Sequence, residues 1–152
     1  MSLIERRRAV IEEHFESETA KEFDRTLATF GGRPHYEIMA TGQVFDGDDE
    51  VMGYYRVTRT AFPDQHHENV TLHFADDAVI AEFELVGTNT GEFYGRPPTG
   101  LGFRVPIIAV FFMEDADIVN ERIYFDSASL VRQIGHADLL AGERFVHAVA
   151  EE

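Results

Sequence analysis

Gly87-Thr88-Asn89-Thr90-Gly91-Glu92-Phe93-Tyr94-Gly95-Arg96-Pro97-Pro98-Thr99-Gly100 is a loop rich in glycine, threonine and proline, and on both sides of it hydrophobicity repeats every second residue. Before the loop, Val70, Leu72 and Phe74 alternate with polar neighbours. Asp76-Asp77 makes a turn, and Val79, Ala81, Phe83 and Leu85 then alternate with Ile80, Glu82, Glu84 and Val86. That period of two reads as an antiparallel hairpin with one apolar face. After the loop, Phe103 to Met113 is apolar on both faces, with Phe103, Val105, Ile107, Ala109 and Phe111 on one and Pro106, Ile108, Val110 and Phe112 on the other. A last strand, Ile118 to Asp126, places Arg122, Tyr124 and Asp126 on one face and Val119, Glu121, Ile123 and Phe125 on the other. The segment from Ser127 to Gly135 reads as a short helix closed by glycine.

Toward the N-terminus the period changes. Ile4, Ala9, Ile11 and Phe15, then Ala20, Phe23, Leu27 and Phe30, suit two helices that meet near Ser17 and end at Gly31-Gly32. A short extended piece follows from His35 to Phe45. Asp46-Gly47-Asp48-Asp49-Glu50 then precedes the stripe Val51, Tyr54, Tyr55, Thr58, Ala61 and Phe62, which is a third helix with acids at its positive end, stopped by Pro63-Asp64. Helices followed by period-two strands define the α+β class, with a curved, mainly antiparallel sheet over N-terminal helices. The 152 residues, 44% of them hydrophobic, suit one domain spanning residues 1–152. Leu139, Val146 and Val149 suggest a C-terminal helical extension over about 136–152.

Composition excludes several classes. The net charge of −15 repels phosphate backbones and anionic lipid, so neither nucleic acid nor a membrane surface is an expected partner. With no cysteine there are no disulfides and no thiolate metal sites. No run of about 18 apolar residues occurs, and no apolar segment follows Arg6-Arg7-Arg8, so a cytoplasmic protein is expected. A strand apolar on both faces needs cover on its second face, which predicts a homodimer through the outer face of the sheet.

Arg122, Tyr124 and Asp126 share a strand face that is expected to line an interior hollow, which makes them the leading polar candidates. Asp126 also has a plain structural reading as N-cap of the helix that follows. His35 and Tyr36 open the first extended piece, and Tyr55 lies on the buried stripe of the third helix. All three are candidate pocket residues. His66-His67-Glu68 does not read as a metal site, because adjacent strand residues point to opposite faces. Asp46 to Glu50 lacks the glycine and the glutamate of a calcium loop, with Val51 and Val57 in those places. Arg6-Arg7-Arg8, surrounded by glutamates, reads as a solvated helix face. No metal and no cofactor is called for.

Taken together, Gly87-Thr88-Asn89-Thr90-Gly91, Pro97-Pro98-Thr99-Gly100, the alternation through Arg122, Tyr124, Phe125 and Asp126, Gln133-Ile134-Gly135 and the upstream Ala61-Phe62-Pro63-Asp64 resemble the SnoaL-like branch of the nuclear transport factor 2 superfamily. The resemblance covers roughly Val51 to Gly135. It implies a cone-shaped domain enclosing a small hydrophobic ligand. It further implies cofactor-free chemistry on a carbonyl or ester compound, with Asp126 as general acid/base and Tyr124 and Arg122 as positioning groups. Arg122 stands where the family usually places a large aromatic residue, which implies a cationic pocket wall, and Val110 and Phe112 stand where its cyclases carry polar helpers, which makes Phe112 an apolar substrate contact; small anionic or oxygenated lipophilic ligands then fit better than an aromatic polyketide. The alternative is a non-catalytic ligand-binding or dimerisation domain. An epoxide hydrolase of related fold ranks third. The enzymatic reading rests on Asp126 reaching a water-poor hollow, where burial raises a carboxyl pKa toward neutrality.

Overall fold

The structure, a computed structural model, describes residues 1–141, so most of the expected C-terminal helix, including Val146 and Val149, lies outside the described residues. In chain order the elements are α1 (Leu3–Ala20), α2 (Phe23–Leu27), β1 (His35–Ile38), β2 (Gln43–Asp46), α3 (Asp48–Ala61), β3 (His66–Phe74), β4 (Ala78–Thr88), β5 (Gly102–Glu114), β6 (Asp117–Phe125) and α4 (Ser127–Gln133), followed by a short 3-10 turn at Ala137–Leu140. The strands form one curved sheet in the order β2-β1-β6-β5-β4-β3, and only the β1–β6 pair is parallel. The expected α+β architecture is therefore present.

α1 opens on a capping box in which the Glu5 amide donates to Ser2 Oγ and the Ser2 amide donates to the Glu5 carboxylate. It runs past Ser17 and ends at Lys21, whose left-handed backbone (φ 60°) stops the helix. The expected break near Ser17 is thus displaced, because Ser17 is buried inside the helix with its hydroxyl on Thr26 Oγ1 at 2.8 Å. Ile4 and Ala9 are exposed, and the buried side of α1 carries Arg7, Ile11, His14, Phe15 and Glu18. Arg7 is correspondingly not part of a solvated face. Its guanidinium donates to the carbonyls of Asp115 at 2.7 Å and Asp76 at 2.9 Å, tying together the turns of two hairpins.

Two backbone details place the site. The parallel register pairs Tyr36 with Glu121, Glu37 with Arg122 and Ile38 with Ile123, so Tyr36 and Glu121 share one face. In β6 the pairing skips from Phe112–Asn120 to Met113–Ile118. The extra residue, Val119, turns outward and is 37% exposed, while Ile118 is fully buried. Val119 therefore does not share a face with Glu121 as strict alternation required.

The glycine-threonine loop acts as a brace. Asp64 accepts the amide and the hydroxyl of Thr88 at 2.8 and 2.7 Å. Asn89, fully buried, donates to the Gly91 carbonyl and accepts from the Thr99 amide and from His136. A Cβ on Gly91 would collide with the Thr60 carbonyl oxygen, so only glycine lets the loop pass this close to the end of α3. The loop motifs thus fix the α3–β4–α4 corner rather than supply chemistry.

Candidate active site

The helix-covered side of the sheet holds a cluster of ionisable groups where an apolar core is otherwise continuous. His14 and Glu18 come from α1, Tyr36 from β1, Tyr55 and Arg59 from α3, His67 from β3 and Glu121 from β6. Glu18 is the hub. Its Oε1 lies 3.0 Å from His14 Nε2 and accepts the Tyr36 hydroxyl at 3.0 Å, and its Oε2 accepts Arg59 Nη2 at 3.0 Å with His67 Nε2 3.6 Å away. Since Tyr36 donates to Glu18, its oxygen accepts the Tyr55 hydroxyl at 2.6 Å. His14 is held from behind by Thr29, 2.8 Å from Nδ1, whose own hydroxyl donates to the Thr26 carbonyl.

Glu121 differs from Glu18 in one decisive respect. It is only 3% exposed, yet its Oε2 has no hydrogen-bond partner among the described residues. His14 Nε2 stands 3.7 Å away, within ion-pair range but beyond a hydrogen bond. Burial raises the Glu121 carboxyl above its ordinary value, with the His14 charge pulling the other way. Burial also acts to raise Glu18, but the close approach of His14 and His67 and the Arg59 charge outweigh it and hold that carboxyl well below the ordinary range. One buried carboxylate is thus locked in the ionised form, and the other is poised to exchange a proton.

His14 feels the opposite balance. Burial lowers its pKa, but the charges of Glu121 and Glu18 and their contacts prevail and lift it to about 9 from 6.5. A histidine pKa raised on folding contributes stability that is fully present below the unfolded value of 6.5 and is lost as pH rises through about 9. Urea unfolding is therefore expected to show stability falling across that window, and His14→Gln is expected to flatten this limb. An identical limb in the variant contradicts the assignment.

Glu18, Tyr36, Arg59, His67 and Glu121 line a cavity of about 100 Å³, whose remaining wall is largely apolar, with Ile38, Phe62, Phe83, Ile107, Ile123 and Phe125. A second, open chamber of about 670 Å³ shares Thr41, Gln43, Tyr54, Val57 and Tyr94 with this wall, so those residues stand between the two. His14, Glu18 and Glu121 present ligand atoms within 4.8 Å of one another. The lone pairs of Glu18 are already engaged by His14, Tyr36 and Arg59, so the donor set suits proton exchange better than a metal ion.

Of the residues singled out in the sequence, Tyr36 lines the cavity, and Tyr55 stands directly behind it with its hydroxyl on Tyr36. The others lie elsewhere. Arg122 is on the outer face, donating to Glu37 at 2.6 Å and covering the Phe112 ring at 4.9 Å, so neither Arg122 nor Phe112 touches the cavity. His35 contacts Asp46 on the β1–β2 hairpin. Tyr124 is 43% exposed. Asp126 is exposed and accepts the Ser129 amide at 3.2 Å as the N-cap of α4. The alternation along β6 from Glu121 onward is as expected, but its sides are reversed. Arg122, Tyr124 and Asp126 are polar because they face water, and the hollow is lined by Glu121, Ile123 and Phe125.

His14, Glu18, Arg59 and Glu121 are not singled out by the sequence reading, which weighs His67 only as part of a metal cluster, although a signal exists for three of the four. His14 and Glu18 occupy i and i+4 on the stripe that contains Ile11 and Phe15, and Glu121 stands on the same strand face as Ile123 and Phe125. A carboxylate on an apolar face is the informative kind of exception.

This architecture, helices inside a curved sheet with a polar cluster at the base of an apolar cavity, is the ketosteroid isomerase-like fold; a protein of that fold from Catenulispora acidiphila, in complex with trimethylamine, superimposes with a TM-score of 0.73 at 19% identity, covering 85% of this chain and 95% of the other. The chain belongs to the SnoaL-like polyketide cyclase family, whose sequence profile matches residues 8–134. It is also similar to a candidate polyketide cyclase from Xanthomonas campestris pv. campestris (TM-score 0.80, 16% identity, covering 88% of this chain and 99% of the other). A candidate hydroxylase from Streptomyces galilaeus gives a TM-score of 0.75 at 18% identity, covering 88% of this chain and 98% of the other. No curated protein matches the chain. Among the described residues, no helix is long and apolar enough to cross a membrane.

Proposed function

We propose that this chain is a cofactor-free isomerase or cyclase of small, neutral carbonyl compounds, with Glu121 as the group that moves the proton. The observation that carries this reading is the buried, unpartnered Oε2 of Glu121 on the wall of an apolar cavity. The Glu121 carboxylate takes a proton from the carbon beside the carbonyl, and the C–H electron pair becomes an enolate. In an isomerisation the proton returns to a different carbon. In a cyclisation the enolate carbon forms a bond to a second carbonyl, and the proton passes to the new alkoxide. The His14 cation stabilises the ionised form of Glu121, and Glu18 holds His14 in place.

Charge and size support a small neutral substrate. In their ionised forms Glu18 and Glu121 balance His14 and Arg59 in the cluster. With Arg122 outside, no spare cation among these groups favours the anionic ligand that Arg122 suggested. The inner cavity of about 100 Å³ compares with the roughly 150 Å³ that accommodates benzene in an engineered core, so a five-membered ring fills it and reaches past its mouth, and a tetracyclic aromatic substrate does not fit there. A longer molecule would have to pass the shared residues Thr41, Gln43, Tyr54, Val57 and Tyr94 to reach the outer chamber. The experiment is exchange of the α-hydrogens of cyclopentanone in heavy water, followed by proton NMR. Binding with exchange at the protein-free rate supports the alternative, a non-catalytic ligand-binding domain.

The homodimer belongs to the same proposal. Ile108 and Tyr124 are 41% and 43% exposed on the outer face, close to Pro106 and in line with Val110 and Phe112. Sedimentation is expected to show a dimer that Ile108→Glu converts to monomer. A monomeric parent chain contradicts it.

A further inference from the structure

Besides Glu121 Oε2, two other cavity-lining side chains carry a buried polar atom with no hydrogen-bond partner among the described residues: Arg59 through Nε and Gln65 through Oε1. Both residues are more than nine-tenths buried, at 8% and 9% exposure. They belong to one corner. Arg59 lies in the last turn of α3, and the Gln65 amide closes the turn after that helix on the Phe62 carbonyl at 3.1 Å. The rest of the Arg59 guanidinium is engaged, Nη2 on Glu18 and Nη1 on Thr58 Oγ1 at 2.9 Å, so the Nε–H is a donor without an acceptor. A buried polar atom left unpaired is costly, because the hydration it loses is not replaced. One donor and one acceptor, on two cavity-lining residues that bracket the end of α3, are complementary to a ligand that supplies an acceptor and a donor.

We propose that the substrate of this site carries a carbonyl flanked by a hydrogen-bond donor, as in a lactam, a secondary amide or a hydroxyketone, with the carbonyl oxygen on Arg59 Nε and the neighbouring N–H or O–H on Gln65 Oε1. This assignment rests on the cavity being the ligand site, as proposed above, and adds the recognition element that Glu121 alone does not provide. A carboxylate is a poor occupant. It supplies acceptors only, and it would add a negative charge beside Glu18. A plain ketone or ester leaves the Gln65 acceptor unpaired.

The test uses three rings of similar size and NMR-detected binding: 2-pyrrolidinone, which has the carbonyl and an adjacent N–H, and cyclopentanone and γ-butyrolactone, which lack the donor. The lactam is expected to bind about tenfold more tightly than the other two, and Gln65→Leu is expected to bring all three within about twofold of one another. Because Leu replaces an amide whose oxygen is buried without a partner by an apolar group of similar size, the melting temperature of the ligand-free variant is expected to stay level or rise. Equal binding of the three rings to the parent chain overturns the donor–acceptor assignment and leaves the cavity reading standing. Failure of all three to bind overturns the cavity reading as well. A fall in melting temperature of several degrees in Gln65→Leu shows that the amide serves the fold, and it overturns the assignment regardless of the binding result.

Discussion

Glu121→Gln is expected to slow α-proton exchange in cyclopentanone by about a hundred- to ten-thousand-fold, while Asp126→Asn leaves the rate within about twofold. The substitution keeps side-chain size and removes only the basic oxygen, so ligand affinity should change little and the loss should fall on the rate. The contrast with Asp126 follows from placement. Glu121 lies inside the cavity with a free lone pair, whereas Asp126 sits in solvent with one oxygen on the Ser129 amide. A fall in rate with Asp126→Asn and none with Glu121→Gln would restore the role that family resemblance suggested for Asp126. Loss in neither variant, with exchange still present, moves the base to another residue.

The second large effect is on stability. Arg59→Met leaves the Glu18 carboxylate, 9% exposed in its side chain, without its one guanidinium partner. Breaking a buried pair from one side costs about 3–5 kcal/mol, because the remaining charge can neither return to water nor be neutralised cheaply. For a chain of this size that corresponds to a melting temperature lower by roughly 6–20 °C in a thermal unfolding scan. Glu18 also accepts from Tyr36 and lies against His14. Adding Glu18→Gln to Arg59→Met should therefore recover part of the loss, because a neutral amide keeps a hydrogen-bonding oxygen without an uncompensated charge. A fall below about 1 kcal/mol for Arg59→Met would mean that water reaches the pair, as at a surface salt bridge.

The fold was legible because its signals are local. The period-two run of β4, the apolar run of β5, the acidic start of α3, and the glycines at 91 and 135 each constrain the backbone where they stand, and the structure uses them there, whereas in β3 a bulge between Glu68 and Thr71 leaves Val70 exposed. Which face of β6 looks inward was not legible in the same way. A polar face on a strand can line a site or meet solvent, and alternation alone gives both answers equal standing. The choice is made by the parallel register that sets Tyr36 beside Glu121, and by the bulge at Val119, both of which depend on strands distant in sequence. The amphipathic reading of α1 failed for a related reason. His14 and Glu18 are buried because they satisfy each other together with Tyr36, Arg59 and Thr29, and those partners come from three other parts of the chain. A lone charged residue on an apolar stripe marks such a network even when its partners cannot be named.

The central claim is that Glu121 carries a carboxyl group in a water-poor cavity, poised to exchange a proton. Carbon-detected NMR titration of glutamate side-chain carboxyls, with Glu121 assigned by loss of its signal in Glu121→Gln, tests this directly. A midpoint above the ordinary 4.5 is the expected result, and a midpoint at or below it contradicts the account.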